Sequence, residues 1–195
     1  MPRAAVRTAV TLIAVVASAM ACGAASSRPL QTTSAPPAGK KYISKRYGYS
    51  IVLRGKYLWF PAKQQWDGQF PFGSTGQVDV IAGYYIDHKF AVAAKPVPAG
   101  TTLAGWEAFV LGVQRQFCGG LRDFGASSLG GEPAQEFVND CPGPAPGTTW
   151  KVITLAALHN GRGYLLNYLS GPTTKSAAER RTYEAGRRSF RFTQK

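Results

Sequence analysis

TWKVITLAALHNGRGYLLNYLS, residues 149–170, reads as two strands folded back on each other. Trp150, Val152, Thr154, Ala156 and Leu158 alternate onto one face of the first strand, and Ile153, Leu155 and Ala157 onto the other. Tyr164, Leu166 and Tyr168 form one face of the return strand, with Leu165 and Leu169 behind them. This period of two is the strand signal. Asn160-Gly161 between the runs is the pair that a type I′ hairpin turn demands, because both residues need positive φ. Both faces are apolar, so both must be covered. The hairpin therefore predicts a sheet sandwiched between two other layers.

The covering layers are found on either side. Downstream, Ser176–Ser189 reads as a helix with Tyr183, Gly186 and Phe190 along one side and Arg180, Arg181, Arg187 and Arg188 over much of the rest. Upstream, Leu103, Trp106, Val110, Val113 and Phe117 recur at spacings of three and four, the mark of one buried helical stripe. Thr101 or Thr102 is placed to cap that helix, and Gly119-Gly120 to stop it. Further strands are predicted at Tyr47–Leu53, over 78–86, at Phe90–Ala94 and at Pro133–Asn139. In the second of these Val78, Val80, Ala82, Tyr84 and Ile86 share a face, and Asp87-His88 marks the turn after it. Ser127–Gly131 reads as a turn, Asp140–Gly147 as a loop, and Lys56–Phe72 as irregular and aromatic. The expectation is an α+β fold: an α/β/α sandwich with a mainly antiparallel sheet of about six or seven strands and two principal helices.

The first 21 residues have a different character. Arg3 and Arg7 precede an uncharged run from Thr8 to Ala21, and small residues lead to Cys22. A basic segment, an apolar segment and a small-residue cleavage site make a signal peptide. The run is too short and too polar for a membrane span of about 20 apolar residues. Cleavage between Ala21 and Cys22 would leave a cysteine at the new N-terminus, where bacterial lipoproteins are lipidated, although Ala19 stands where those proteins usually have Leu. Ordinary secretion is the alternative, since Ser18-Ala19-Met20 and Ala19-Met20-Ala21 also suit a signal peptidase. Residues 22–40 are rich in Ala, Ser, Thr and Pro and read as a flexible tether, with a globular domain over 41–195.

Removal of residues 1–21 takes two arginines and no acid, which leaves 21 basic and 10 acidic residues, a formal +11. Such a charge selects anionic neighbours. For an exported chain these are lipid headgroups, wall polymers or acidic proteins, and not nucleic acid. Two cysteines remain beyond Cys22, and an even pair in an oxidising compartment reads as a disulfide, Cys118–Cys141, with two buried thiols as the alternative. The bridge encloses a loop of about 22 residues, worth roughly 3 kcal/mol in the chain-entropy model.

The opening Gly48-Tyr49-Ser50-Ile51 strand resembles the PsbP-like (Mog/PsbP) superfamily. So do the long helix, Ser127-x-Leu129-Gly130-Gly131-x-Pro133-Ala134 before a strand, the Asn-Gly hairpin with Gly163-Tyr164, and the closing Ser189-Phe190-x-Phe192. The resemblance covers about residues 45–193. It departs at Leu53-Arg54-Gly55, where the superfamily often has Leu-Pro and an early Trp. It implies an α/β/α sandwich without shared catalytic residues, and bacterial members that include lipoproteins of the LpqN and DcrB type.

No catalytic constellation stands out. His88 and His159 sit near predicted turns, and Glu132 and Glu136 project to one face of a strand, toward solvent. With the cysteines paired, too few ligands remain for zinc, and Gly-x-Ser-x-Gly is absent; Ser74 reads as part of a loop. No catalytic residue, metal or cofactor is assigned. Tyr57, Trp59 and Trp66 are the candidates for a binding platform, since aromatics concentrate at hot spots, and Arg180, Arg181, Arg187 and Arg188 for an anionic contact. The expected function is that of a lipid-anchored extracytoplasmic protein with a non-catalytic binding or accessory role toward an envelope protein or anionic component. Alternatives are carriage of a small amphipathic ligand against Trp106 and Phe109, and an envelope hydrolase. Mass spectrometry of the mature chain is expected to find a lipidated Cys22 at the N-terminus; an unmodified Cys22, or a terminus elsewhere, excludes the anchor.

Overall fold

The computed structural model describes residues 39–69, 76–83, 88–143, 145–171 and 176–193. The residues read as a signal peptide, Cys22 and most of those read as a tether lie outside the described residues, as do Phe70, Phe72, Ser74, Tyr84, Ile86 and Asp87. The described chain runs β1 (Lys40–Ser44), β2 (Tyr49–Leu53), β3 (Tyr57–Phe60), β4 (Asp79–Gly83), β5 (His88–Pro96), α1 (Leu103–Gln114), β6 (Leu121–Leu129), β7 (Glu132–Pro142), β8 (Thr149–His159), β9 (Arg162–Ser170), α2 (Ser176–Ser189) and β10 (Arg191–Phe192).

The β8–β9 hairpin forms as its sequence requires. His159 faces Arg162, and Asn160 and Gly161 turn between them with φ of 47° and 68°. Around this pair assembles a seven-stranded antiparallel sheet in the order β3-β4-β5-β9-β8-β7-β6. A smaller sheet, β1-β2-β10, lies apart from it.

Alternation assigns each residue of the large sheet to a face. One face carries Phe90, Val92, Tyr164, Leu166, Tyr168 and Leu155, in the registers that β5, β9 and β8 share. α2 and the small sheet cover it. Tyr183 packs on Tyr168 with ring centroids 5.9 Å apart, Phe192 meets Tyr164 at 4.7 Å, and the Tyr164 hydroxyl donates to the Tyr47 carbonyl at 2.7 Å. The opposite face carries Val152, Thr154, Ala156, Leu165 and Asn167 and lies under α1. The three layers are those that the two-faced hairpin predicts.

α1 begins at Thr102, whose hydroxyl accepts from the Gly105 N–H at 3.1 Å. Trp106 lies flat on β9: its indole N–H donates to the Tyr164 carbonyl at 2.9 Å, and a Cβ on Gly163 would stand 2.5 Å from its ring. Glycine at 163 is thus the condition for this contact. The helix ends earlier than its apolar stripe suggested. Gln114 is its last buried residue, whereas Phe117 is exposed and Gly119-Gly120 belong to the following turn. Gln114 replaces apolar packing with a buried polar network. Its amide donates to Thr154 Oγ1 at 2.7 Å and to Asn167 Oδ1 at 3.3 Å, and accepts from Asn139 Nδ2 at 2.5 Å.

Four strands escaped the sequence reading, the two-residue β10 among them. β1 lies in residues read as the end of the tether and the domain start, β3 in a stretch read as irregular, and β6 in a stretch read only as a turn at its end. All four are edge strands of their sheets, where pairing with a neighbour outweighs intrinsic pattern. The strand read over 78–86 is described as β4 over Asp79–Gly83, and His88 opens β5. Cys118 and Cys141 form a disulfide. It joins the turn after α1 to the end of β7, packed with Trp150 against Ala91, Val152 and Leu169.

Replacing Gln114 by Leu leaves Asn139, Thr154 and Asn167 short of partners in a dry site, at about 1–3 kcal/mol per orphaned group. Urea unfolding of Gln114→Leu is expected to show a loss of roughly 3 kcal/mol; an unchanged midpoint would mean that the network does not hold α1.

Candidate functional site

The aromatic stretch after β2 builds a cleft, and Tyr47 is its anchor. The turn at residues 45–48 brings the Gly48 N–H to the Ser44 carbonyl at 2.9 Å and buries Tyr47 completely. The Tyr47 hydroxyl donates to the Gln77 carbonyl and accepts from the Trp66 N–H at 3.1 Å, so it ties together segments distant in sequence. Arg46, next in the turn, donates from Nη2 to the Lys63 carbonyl at 2.8 Å and from Nε to the Ala62 carbonyl at 3.2 Å. The Ala62 N–H in turn donates to Asp79 Oδ1 on β4 at 2.7 Å. Residues 61–66 are therefore fastened at both ends by main-chain hydrogen bonds.

Between the β1–β2 turn and this fastened segment lies a cleft of about 700 Å³, lined by Ile43, Lys45, Arg46, Trp59, Pro61 and Asp79. Trp59 is half-buried and meets Tyr42 edge-on, with ring centroids 5.9 Å apart. Lys45 and Arg46 are exposed at its mouth. Asp79 is buried, and the Tyr49 hydroxyl stands beside it; burial, reinforced by that carboxylate, pushes Tyr49 well above the usual phenol range. Burial likewise pushes Tyr47 up to about 12, with Asp79 adding to the shift, against the Trp66 N–H and the charges of Arg46 and Arg162.

Of the three aromatics proposed for a platform, the structure brings one to this cleft. Trp59 lines it, and Tyr57 is half-buried on the same strand with its hydroxyl 3.2 Å from His88 Nε2. Trp66 is core: it is 2% exposed and meets Trp106 edge-on at 6.2 Å. Sequence reasoning missed Ile43, Lys45, Arg46 and Asp79. The signal available for the cations was charge density, since residues 39–69 hold seven basic residues and one acid. Asp79 gave no such signal, because it sits on the strand face opposite Val80 and Ala82.

The four arginines of α2 divide. Arg180 contacts Glu136 and Glu184, each at 2.9 Å, and Arg187 contacts Glu184 at 2.7 Å and the Ser128 carbonyl at 3.2 Å. Glu136 also accepts from the Tyr183 hydroxyl at 2.7 Å, so it lies under α2 and not in solvent. Burial opposes ionisation of Glu184, yet Arg187, Arg180 and Arg188 hold its carboxyl below the usual range. Arg180, Arg181 and Arg188 are all exposed, and Arg188 also lies 3.8 Å from Glu184.

His88 and His159 pair with Ser170 and Arg162, at opposite ends of β9. Eight residues of strand separate those ends, about 27 Å at the usual rise. His159 Nδ1 lies 2.8 Å from Glu132 Oε1, and its ring stacks on Phe192. Among the described residues no group of three or more His, Cys, Asp or Glu side chains could hold a metal ion. The contact of α1 with the sheet is filled by Trp106, Val110 and Gln114; Phe109, 38% exposed, lines an outer groove of about 470 Å³ with Lys95 and Thr102.

The sandwich is the PsbP-like fold. It is similar to cyanobacterial PsbP (CyanoP) from Synechocystis sp. PCC 6803, with a TM-score of 0.54 and 14% identity over 80% of this chain and 92% of that one. It is also similar to LpqN of Mycobacterium tuberculosis, a protein involved in cell envelope biogenesis, with a TM-score of 0.53 and 12% identity over 80% of this chain and 86% of that one. No family model matches the sequence, and no curated protein does.

The buried tyrosines impose an alkaline limit. Unfolded tyrosines ionise near 10, whereas Tyr42, Tyr47, Tyr49, Tyr164 and Tyr183 are all raised by burial. The folded chain then keeps protons that the unfolded chain releases, so this stability is complete below about pH 10 and is lost as pH rises through the raised values, about 12 for Tyr47. Phenolate absorbance is expected to show a late-titrating group of tyrosines, and Tyr47→Phe to shrink it. A single transition near pH 10 without unfolding would contradict the assignment.

Proposed function

We propose that this chain is an exported lipoprotein, held at the extracytoplasmic face of the cell membrane through Cys22. Its PsbP-like domain binds an envelope protein or anionic envelope component and performs no catalysis. The observation that carries the binding role is the cleft beside Trp59. Its walls are fastened through Tyr47 and Arg46 before any partner arrives, and cations stand at its mouth. Preorganised walls lower the ordering cost of binding.

Other features support the reading. LpqN, which shares the fold, is involved in cell envelope biogenesis. Among the described residues no helix is long and apolar enough to cross a membrane. The histidines, at opposite ends of β9, do not converge on a shared centre as a hydrolase site would require. Arg181 remains a second candidate contact, weaker because its helix commits Arg180, Arg187 and Arg188 to Glu136 and Glu184.

A photocrosslinking residue placed at Lys45 is expected to capture an envelope component in intact cells, and one placed at Arg181 is not. Capture from 181 alone would move the binding surface to α2. Release of the protein from the membrane fraction by Cys22→Ser is the accompanying expectation; retention there would exclude the lipid as the anchor.

A further inference from the structure

β3 ends the large sheet and β1 ends the small one, and the cleft lies between these two edges. The Tyr42 hydroxyl donates to the Tyr57 carbonyl at 3.3 Å, so that carbonyl points away from β4. Main-chain groups alternate along a strand, which turns the N–H and C=O of Trp59 the same way, toward the cleft. Among the described residues Trp59 thus carries the open main-chain groups of this edge, the Tyr57 carbonyl being taken by Tyr42, and an open strand edge is a template for another strand.

The side chains around that edge are sorted. Leu58 and Phe60 are 50% and 55% exposed and project to one face of β3. Trp59 projects to the other face and lines the cleft with Lys45 and Arg46. Of the residues in 39–69, seven are basic, and the single acid, Asp67, is engaged by the Gln69 N–H at 2.8 Å and by Gln77 Nε2 at 3.0 Å; the acid that lines the cleft, Asp79, is buried and accepts from the Ala62 N–H at 2.7 Å, against the two cations Lys45 and Arg46. Arg46 spends donors on two carbonyls, but its charge stays in place.

We propose, on the basis of the binding role above, that the cleft receives an extended segment of an acidic partner protein, added as a strand to the edge of β3. Alternation then dictates the pattern of that segment. Every second side chain lies beside Leu58 and Phe60 and is apolar; the intervening ones face Lys45 and Arg46 and are acidic. A lipid bilayer is the poorer fit, because Trp59 lines a concave surface.

The test uses the mature chain with Cys22→Ser and a capped peptide of about eight alternating valines and glutamates. Controls carry lysine for glutamate, or N-methyl groups on alternate amides, which block edge pairing and keep the charge. Titration followed by amide chemical shifts is expected to move Trp59, Lys45 and their neighbours. Both controls, and the Lys45→Glu variant, are expected to bind at least about tenfold more weakly. Equal binding of the lysine peptide removes the charge argument, and equal binding of the N-methylated peptide removes strand addition; either overturns the proposal. Anionic phosphatidylglycerol vesicles that shift the same amides where the peptide does not would assign the cleft to lipid. Envelope capture from position 45 without peptide binding would keep the binding role and reject the strand.

Discussion

Strands β8 and β9 lie at the centre of the seven-stranded sheet with apolar side chains on both faces, so neither face can be left to water. The rest of the architecture follows from that constraint. α1 must lie on one face, and α2 with the small sheet on the other. The two covers are attached by different means. α2 and β10 pack aromatic rings, Tyr183 on Tyr168 and Phe192 on Tyr164. α1 uses Trp106 over the bare backbone of Gly163 at one end and the Gln114 amide at the other. Apolar packing tolerates sliding, but a buried amide short of its partners costs about 1–3 kcal/mol, so Gln114 sets where the helix sits along β8 and β9.

The cleft is a by-product of the same covering. The small sheet places the 45–48 turn beside residues 61–66, and Tyr47 and Arg46 then bind main-chain groups there. Carbonyl and N–H contacts of this kind do not depend on the side chains of the loop. They hold the segment in one shape and leave Lys45, Ile43 and Trp59 to face outward. A stable wall and a variable lining suit a binding module.

Charge is divided in a comparable way. α2 has the most conspicuous cluster of arginines, yet Arg180 and Arg187 are committed to Glu136 and Glu184. Their work is to seat the helix on β6 and β7. The cations of the turn after β1, Lys45 and Arg46, have fewer acids near them in sequence, and they line a concavity. For a chain with an excess of positive charge, position relative to acids matters more than local count in deciding where an anionic partner docks.

The central hairpin, the Asn-Gly turn, the Thr102 cap, the second helix and the cysteine pair were legible in the sequence, because each depends on periodicity, local backbone chemistry or redox compartment. The edge strands β1, β3, β6 and β10 were not, since they are strands by virtue of the neighbour they pair with. Trp66 and Trp59 look alike in sequence, seven residues apart in one aromatic stretch. Only the fold makes Trp66 core, against Trp106, and leaves Trp59 half-open beside Lys45. Asp79 is the same case: its strand parity turns it inward, and it becomes the acceptor for the Ala62 N–H. The sequence by itself determined a two-faced sheet that needs two covers. The tertiary structure decided which aromatics and cations meet at a surface, because a side chain's exposure is set by neighbours distant along the chain.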